Sequence, residues 1–293
     1  MQGQSIILGT ATPGGGFPLY GAAFAEAVNA TDASLSIETR HTLGSAENVP
    51  LLETGSVDIA LVQGEVANPA LANAGSGLRI VAAMYSSPGM FVVRADTPYR
   101  SISDLRGQTV AFGAKGSGLT ILGRTVTNGL DLDCDRDFKA IYLDKAGDGP
   151  LMVLDGRVAA LWGAGIGWPG FTKVASSPQG ARFIAPDAGE ITRILAKYPF
   201  LKRLTVAAGS YPGQDAPIAS LGSWSYVLAG PGFDSGLAYR LARALHGAES
   251  ALAASLEQAR ETTAANTLAA APRIELIHPG VLRYLREIGL APA

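Results

Sequence analysis

Two stretches of this chain join a strand, a glycine-rich loop and the start of a helix: Leu8 to Ala22 and Phe112 to Arg124. A helix start leaves backbone N–H groups without intrahelical partners and carries the positive end of the helix dipole. Such a turn therefore suits a carboxylate or a phosphate. The second loop, Gly113-Ala-Lys-Gly-Ser-Gly118, adds Lys115, which can neutralise an anion, and Ser117, which can donate from its hydroxyl. Neither loop carries the Gly-Lys-Ser/Thr of a nucleotide-binding P-loop, and neither completes Gly-x-Gly-x-x-Gly. The plain alternative is a tight strand-to-helix turn with no ligand. Elsewhere, Ser45 has the chemistry of a helix N-cap, with Asn48 as a competing cap. Gln63 ends an apolar run, where open α/β sheets place ligand contacts.

Catalytic constellations are poor. The three histidines, His41, His246 and His278, are scattered, and no Gly-x-Ser-x-Gly elbow occurs. The single cysteine, Cys134, lies in Asp131-Leu-Asp-Cys-Asp-Arg-Asp137. Neighbouring carboxylates raise a thiol's pKa, the wrong direction for a nucleophile. That acidic run lacks the glycine and the closing glutamate of a calcium loop, so it reads as a solvated turn. Trp162 and Trp168 flank Gly163-Ala-Gly-Ile-Gly167. Core packing is the first expectation for both indoles, although a glycine-rich segment beside an indole can line a cleft. No metal and no cofactor is expected.

The elements that must hold these groups alternate. Strands are expected at Ser5–Gly9, around Ile37, at Val57–Gln63, Arg79–Tyr85, Met90–Arg94, at 109–113, at Val158–Trp162, Arg182–Ala185 and Trp224–Leu228. Helices are expected at Leu19–Asn29, Ser45–Thr54, Leu119–Asn128, Asp144–Asp155 and Ala188–Lys197. Three more close the chain, at Ser235–His246, Glu249–Thr262 and Val281–Ile288. Pro50 falls inside the Ser45 helix, so that helix either begins at Asn48 or has a distorted first turn. Alternation of strands and helices argues for parallel βαβ units.

Composition agrees. At 293 residues, the chain is long enough for two domains. A net charge of −2 gives no sign of nucleic-acid binding. Charged residues make up 16% and glycines number 36, a compact, turn-rich profile that excludes disorder and coiled coil. One cysteine excludes an intrachain disulfide framework. The uncharged runs at 1–25 and 216–233 are broken by proline and glycine and do not read as membrane spans. The first of them also lacks the basic start of a signal peptide.

Taken in order, these motifs resemble the TAXI family of solute-binding proteins that serve TRAP transporters. The resembling segments are Gly9-Thr10 with Gly14-Gly-Gly-Phe-Pro18, Gly44-Ser-Ala-Glu-Asn48, Asp58-Ile-Ala-Leu-Val-Gln63, Ser101-Ile-Ser-Asp-Leu-Arg-Gly107 and Gly116-Ser-Gly-Leu119. Ala164-Gly-Ile-Gly167, Tyr211-Pro-Gly-Gln-Asp215 and His278-Pro-Gly280 follow. The resemblance implies a two-lobed α/β fold of the type II periplasmic binding-protein class, each lobe a mainly parallel sheet flanked by helices, with a ligand cleft between lobes. The lobes would be 1–92 with 225–293, and 93–224, with hinge strands near 90–94 and 224–228. It also implies a non-enzymatic, periplasmic protein, by default a monomer, with its signal peptide already removed. Such a protein closes on a small organic acid (an amino acid, a keto acid or an apolar monocarboxylate) and delivers it to TRAP permease subunits in the membrane.

The contacts so implied are Thr10, Gly14, Gly15, Gly16, Phe17, Ser45, Asn48 and Gln63 from the first lobe. Lys115, Gly116, Ser117, Gly118, Leu119, Trp162 and Gly165 would come from the second. Several family hydroxyls are absent: Gly16, Phe17 and Pro18 stand where Thr-Tyr-Tyr is usual, and Leu119 replaces a threonine. Fewer donors and more apolar surface fit a less polar ligand, a monocarboxylate with an apolar or aromatic body. Two other readings use the same fold: an enzyme similar to a thiamin-pyrimidine synthase, and a ligand sensor.

Overall fold

The computed structural model describes residues 4–292. The chain begins with β1 (Gln4–Gly9), α1 (Gly16–Thr31), β2 (Leu35–Arg40), α2 (Ser45–Glu53), β3 (Ile59–Val62), α3 (Gly64–Ala72) and β4 (Arg79–Arg94). It continues through β5 (Thr109–Ala114), α4 (Gly118–Gly129), α5 (Cys134–Asp137), β6 (Lys139–Leu143), α6 (Gly149–Leu154), β7 (Ala160–Ala164), α7 (Pro169–Ala175), β8 (Ala181–Ile184), α8 (Ala188–Lys197) and β9 (Lys202–Val206). It ends with β10 (Ile218–Ala229), α9 (Ser235–Ser255), α10 (Ala264–Ala270) and α11 (Pro279–Glu287). The described residues gather into two compact units. Unit 1 holds 4–11, Phe17–Tyr85 and 224–292; unit 2 holds Thr12–Gly16 and Ser86–Ser223. Both β4 and β10 contribute residues to each unit.

In unit 1, β1 lies parallel to both β2 and β3, and β3 pairs antiparallel with the Tyr226–Ala229 end of β10. In unit 2, β5 lies parallel to β6 and β7, and β7 pairs antiparallel with β4 over Gly89–Val92. β8 adds antiparallel to β4, and β9 to the Ile218–Gly222 end of β10.

Side chains alternate across a strand, so a sheet covered on both faces must be apolar at every position. That is the pattern here. Ile6, Leu8, Ile59 and Leu61 enter one core of unit 1, while Ala60 and Val62 enter the other. Phe91, Val110, Phe112, Ala160 and Trp162 fill one core of unit 2, with Met90, Val92, Ala111 and Leu161 in its counterpart. The α/β class expected from the sequence is therefore the fold observed, with antiparallel strands added to the parallel ones.

Several local expectations need correcting. The strands expected at 79–85 and 90–94 are one strand, β4, which runs through Pro88 and Gly89. Gly89 is required for packing, because a Cβ there would fall 2.7 Å from the Trp162 ring. The two helices expected between 235 and 262 are one, α9, followed by a 3₁₀ turn at Glu257–Glu261. The helix expected over 144–155 is a 3₁₀ turn, Ala146–Asp148, and then the short α6, with Pro150 near its start.

The α2 helix begins at Ser45 and simply accommodates Pro50. Glu47 N and Asn48 N both donate to Gly44 O, so its first turn is regular. The acidic run at 131–137 contains a helix, α5, whose N-cap Asp133 accepts from Asp135 N and Arg136 N. Cys134, its first residue, is buried, and its thiol is pushed up to about 11. Burial is the main cause, ahead of the neighbouring carboxylates.

Candidate functional site

In both units, helices start where parallel strands end. This is the edge at which open α/β sheets bind ligands. In unit 1 that edge carries Thr10 after β1, Ser45 and Asn48 on α2, and Gln63 after β3. All four are buried, and the structure brings them together by hydrogen bonds.

Thr10 Oγ1 donates to Arg40 O at 3.0 Å. Its carbonyl accepts from Thr42 Oγ1 at 3.1 Å and from Asn48 Nδ2 at 2.8 Å. Asn48 Nδ2 also donates to Leu61 O at 2.8 Å. Neither Ser45 nor Asn48 caps α2. The cap position belongs to Gly44 at φ 108, a conformation that favours glycine. Ser45 Oγ instead accepts from Gln63 N at 3.0 Å.

The hydroxyl of Thr10 and the amide donor of Asn48 thus fasten strand ends. Gln63 differs. It stands at the N-cap of α3 with no side-chain capping bond, and its Nε2 is buried without a hydrogen-bond partner. An unpaired buried donor costs roughly 1–3 kcal/mol, so a ligand acceptor there would relieve a real penalty. Phe17 lies in the first turn of α1 and is half-buried against the unit 1 core.

In unit 2 the corresponding edge follows β5 and β7. Ser117 caps α4, its hydroxyl accepting from Thr120 N at 3.3 Å. Thr120 Oγ1 donates in turn to Ala114 O at 2.8 Å, which closes the loop on itself. Gly113 (φ 98) and Gly116 (φ 73) take the left-handed conformations that this turn needs. Gly118 and Leu119 open α4, whose twelve residues give a full dipole with N–H groups at its start.

Lys115 is exposed and lies 3.7 Å from the equally exposed Asp144. Gly14 and Gly15, with Gly16 at the first position of α1, belong to the Thr12–Gly16 segment grouped with unit 2. A Cβ on Gly14 would come within 2.8 Å of the Gly147 Cα. Trp162 is fully buried, and its indole Nε1 donates to Leu119 O at 2.9 Å. It therefore packs the core and fixes the first turn of α4.

Sequence reasoning missed how the β7–α7 turn is held. Gly165 O accepts from the Tyr211 hydroxyl at 2.7 Å, and that hydroxyl accepts from Trp168 N at 3.3 Å. Gln214 secures the Tyr211 loop, accepting from Ser210 N and donating to Ala216 O. The Tyr211-Pro-Gly-Gln214 segment, seen in the sequence only as part of a resemblance, is thus the buttress of the Gly165–Trp168 turn.

Among the described residues, no group of three or more His, Cys, Asp or Glu side chains could hold a metal ion. Nor is any described helix long and apolar enough to cross a membrane.

Comparison with known proteins places the chain. A family model described as the NMT1-like family matches residues 8–289. A solved protein from Bordetella bronchiseptica RB50 has a similar structure, with a TM-score of 0.60 at 13% identity over 97% of this chain and 98% of that one. A structure described as a periplasmic transporter gives 0.58 at 12% identity over 87% of each chain. The alkanesulfonate-binding protein SsuA of Xanthomonas axonopodis pv. citri, bound to MOPS, gives 0.50 at 16% identity over 100% of this chain and 96% of that one. The chain belongs to the NMT1-like family, and its fold is the α/β fold of these solved proteins.

Proposed function

We propose that this protein works outside the cytoplasm, captures a small carboxylate by hinge closure of its two lobes, and delivers it to a TRAP-type membrane permease. The lobes are taken as 1–92 with 225–293, and 93–224, hinged near 90–94 and 224–228. The ligand is a monocarboxylate with an apolar or aromatic body.

The observation that carries this reading is the turn from Gly113 to Gly118. It offers orphan N–H groups at the start of a twelve-residue helix, with the exposed Lys115 beside them, paired to an equally solvated Asp144. The scarcity of unengaged side-chain donors supports the apolar body: Thr10 Oγ1, Asn48 Nδ2 and the Trp162 indole all donate to backbone carbonyls. A ligand rich in polar groups would leave some of them unpaired on binding. Sulfonates share the anionic head, and the alkanesulfonate-binding SsuA has a similar fold, so they form the second ligand class to test.

Lys115→Met provides the test. The Lys115–Asp144 pair is exposed on both sides, and such pairs contribute little to stability. The variant should unfold at the wild-type temperature. Its affinity for phenylacetate in isothermal titration should fall roughly tenfold, as for a lost charge-assisted hydrogen bond. Unchanged affinity would remove Lys115 from the anion site. Tighter binding of glutamate than of phenylacetate by the wild type would overturn the apolar-ligand reading.

A further inference from the structure

We propose that the indole N–H of Trp168 is a side-chain hydrogen-bond donor to the ligand's anionic head, with Tyr211 as its positioning residue. This rests on the reading that the strand ends of unit 2 meet a carboxylate.

Trp168 stands at the N-cap of α7, directly after the turn that follows β7. β7 and β5 are parallel neighbours, so this turn leaves the same sheet edge as the Gly113–Gly118 loop. The ring is seated by shape. A Cβ on Gly163 would fall 2.5 Å from Cζ3 and 2.6 Å from Cε3 of the indole, and a Cβ on Gly170 would meet Cζ3 and Cη2 as well. The benzo edge is therefore wedged against two glycine backbones. The pyrrole edge, with Nε1, lies on the opposite side of the ring.

Phe171 packs edge-on at 4.9 Å between centroids and completes the seat. Only 3% of Trp168 is exposed; its Nε1 has no acceptor among the described residues and is not one of the sealed, unpartnered atoms, so the N–H keeps an opening. Trp162 shows the contrast, since its Nε1 is bonded to Leu119 O. An indole N–H that is held in place yet open at its tip is free to take a ligand acceptor, and a carboxylate supplies one.

The backbone under Trp168 is equally well determined. The Tyr211 hydroxyl bridges Gly165 O and Trp168 N. Gly165 (φ 97) and Gly167 (φ 68) supply the left-handed conformations of the turn between them. Tyr211 is itself 2% exposed and reaches no ligand. It acts by holding the turn that aims the indole.

The experiment is a ¹⁵N spectrum of the indole N–H groups of the wild-type protein, titrated with phenylacetate and then hexanoate. The chain has three tryptophans, and the Trp168 signal is assigned through its own backbone amide. The signal should move downfield on binding, while that of Trp162 stays in place. In calorimetry Trp168→Phe should bind at least tenfold more weakly. Tyr211→Phe should lose several-fold in affinity and reduce the ligand-induced shift of the Trp168 indole signal, a change that a purely structural tyrosine would not give. If either acid binds with the Trp168 signal unmoved, this inference falls and the carboxylate reading stands. If neither acid binds the wild type, the carboxylate reading falls and takes the inference with it. The wild-type spectrum needs no variant, so misfolding of Trp168→Phe leaves the test intact.

Discussion

Replacing Gly280 by alanine should destabilise the protein by about 3 kcal/mol or more, near the upper end for an overpacked site. The α11 helix meets the start of α9 through this residue. A Cβ on Gly280 would collide with the carbonyl oxygen of Ser235 and lie 2.9 Å from Tyr239 N. Both are backbone atoms and cannot rotate away, so the two helices would have to separate. Separation would disturb Leu241, Val281 and Leu285, all buried in one core.

The preceding residues allow little adjustment. His278 N donates to Ile80 O at 2.8 Å, and its ring binds at both nitrogens. Nδ1 accepts from Gly280 N at 3.2 Å, and Nε2 donates to Phe233 O at 3.1 Å. Burial holds the imidazole below its usual pKa, in keeping with this neutral, double-bonded state. Urea denaturation of Gly280→Ala is the check, and a loss under 1 kcal/mol would mean that the α9–α11 contact is loose.

The second large effect belongs to Asn48. Asn48→Ala should cost about 2–4 kcal/mol, because one buried amide ties Thr10 O and Leu61 O and each lost bond leaves an acceptor behind. Asn48→Asp should be no better. A carboxylate of the same shape would place negative oxygens against two carbonyl oxygens in a fully buried position. The amide group rather than the volume is what matters, and the aspartate variant separates the two. Denaturation midpoints equal to wild type for both variants would show that the strand ends hold without this side chain.

These two residues also show what could be read in the sequence. Apolar runs such as Ile59–Val62 and the glycine-rich loops were legible because periodicity and turn chemistry are local. The α/β class followed from them. Asn48 and Ser45 were legible as polar residues at a helix start, but not in their roles. The bonds to Leu61 and Gln63 depend on how α2 packs on β3, and the bond from Asn48 to Thr10 depends on the parallel pairing of β1 and β3.

Pro88 and Gly89 illustrate the opposite error. Both are local breakers, yet β4 continues through them because Gly89 must leave room for Trp162. The short elements β6, β9, α5, α7 and α10 carry too few residues for a periodic signal and owe their form to tertiary packing. Trp168 was legible as an aromatic beside glycines. Its unpartnered N–H depends on which edge of the ring the glycines receive, and only coordinates show that.

The most direct test of the central claim, that this is a binding protein for a small organic anion, is a thermal-shift series on protein that has been unfolded, dialysed and refolded to remove any ligand carried through purification. The series should include phenylacetate, hexanoate, an alkanesulfonate, glutamate, glutamine and 2-oxoglutarate. A ligand present at about 100 times its Kd stabilises the folded state by roughly 2.7 kcal/mol. In a chain of this order that corresponds to a rise of about 5–10 °C in Tm. The account predicts such a rise with an apolar monocarboxylate and a smaller one with glutamate. An unmoved Tm across every acid and sulfonate in the series would contradict it.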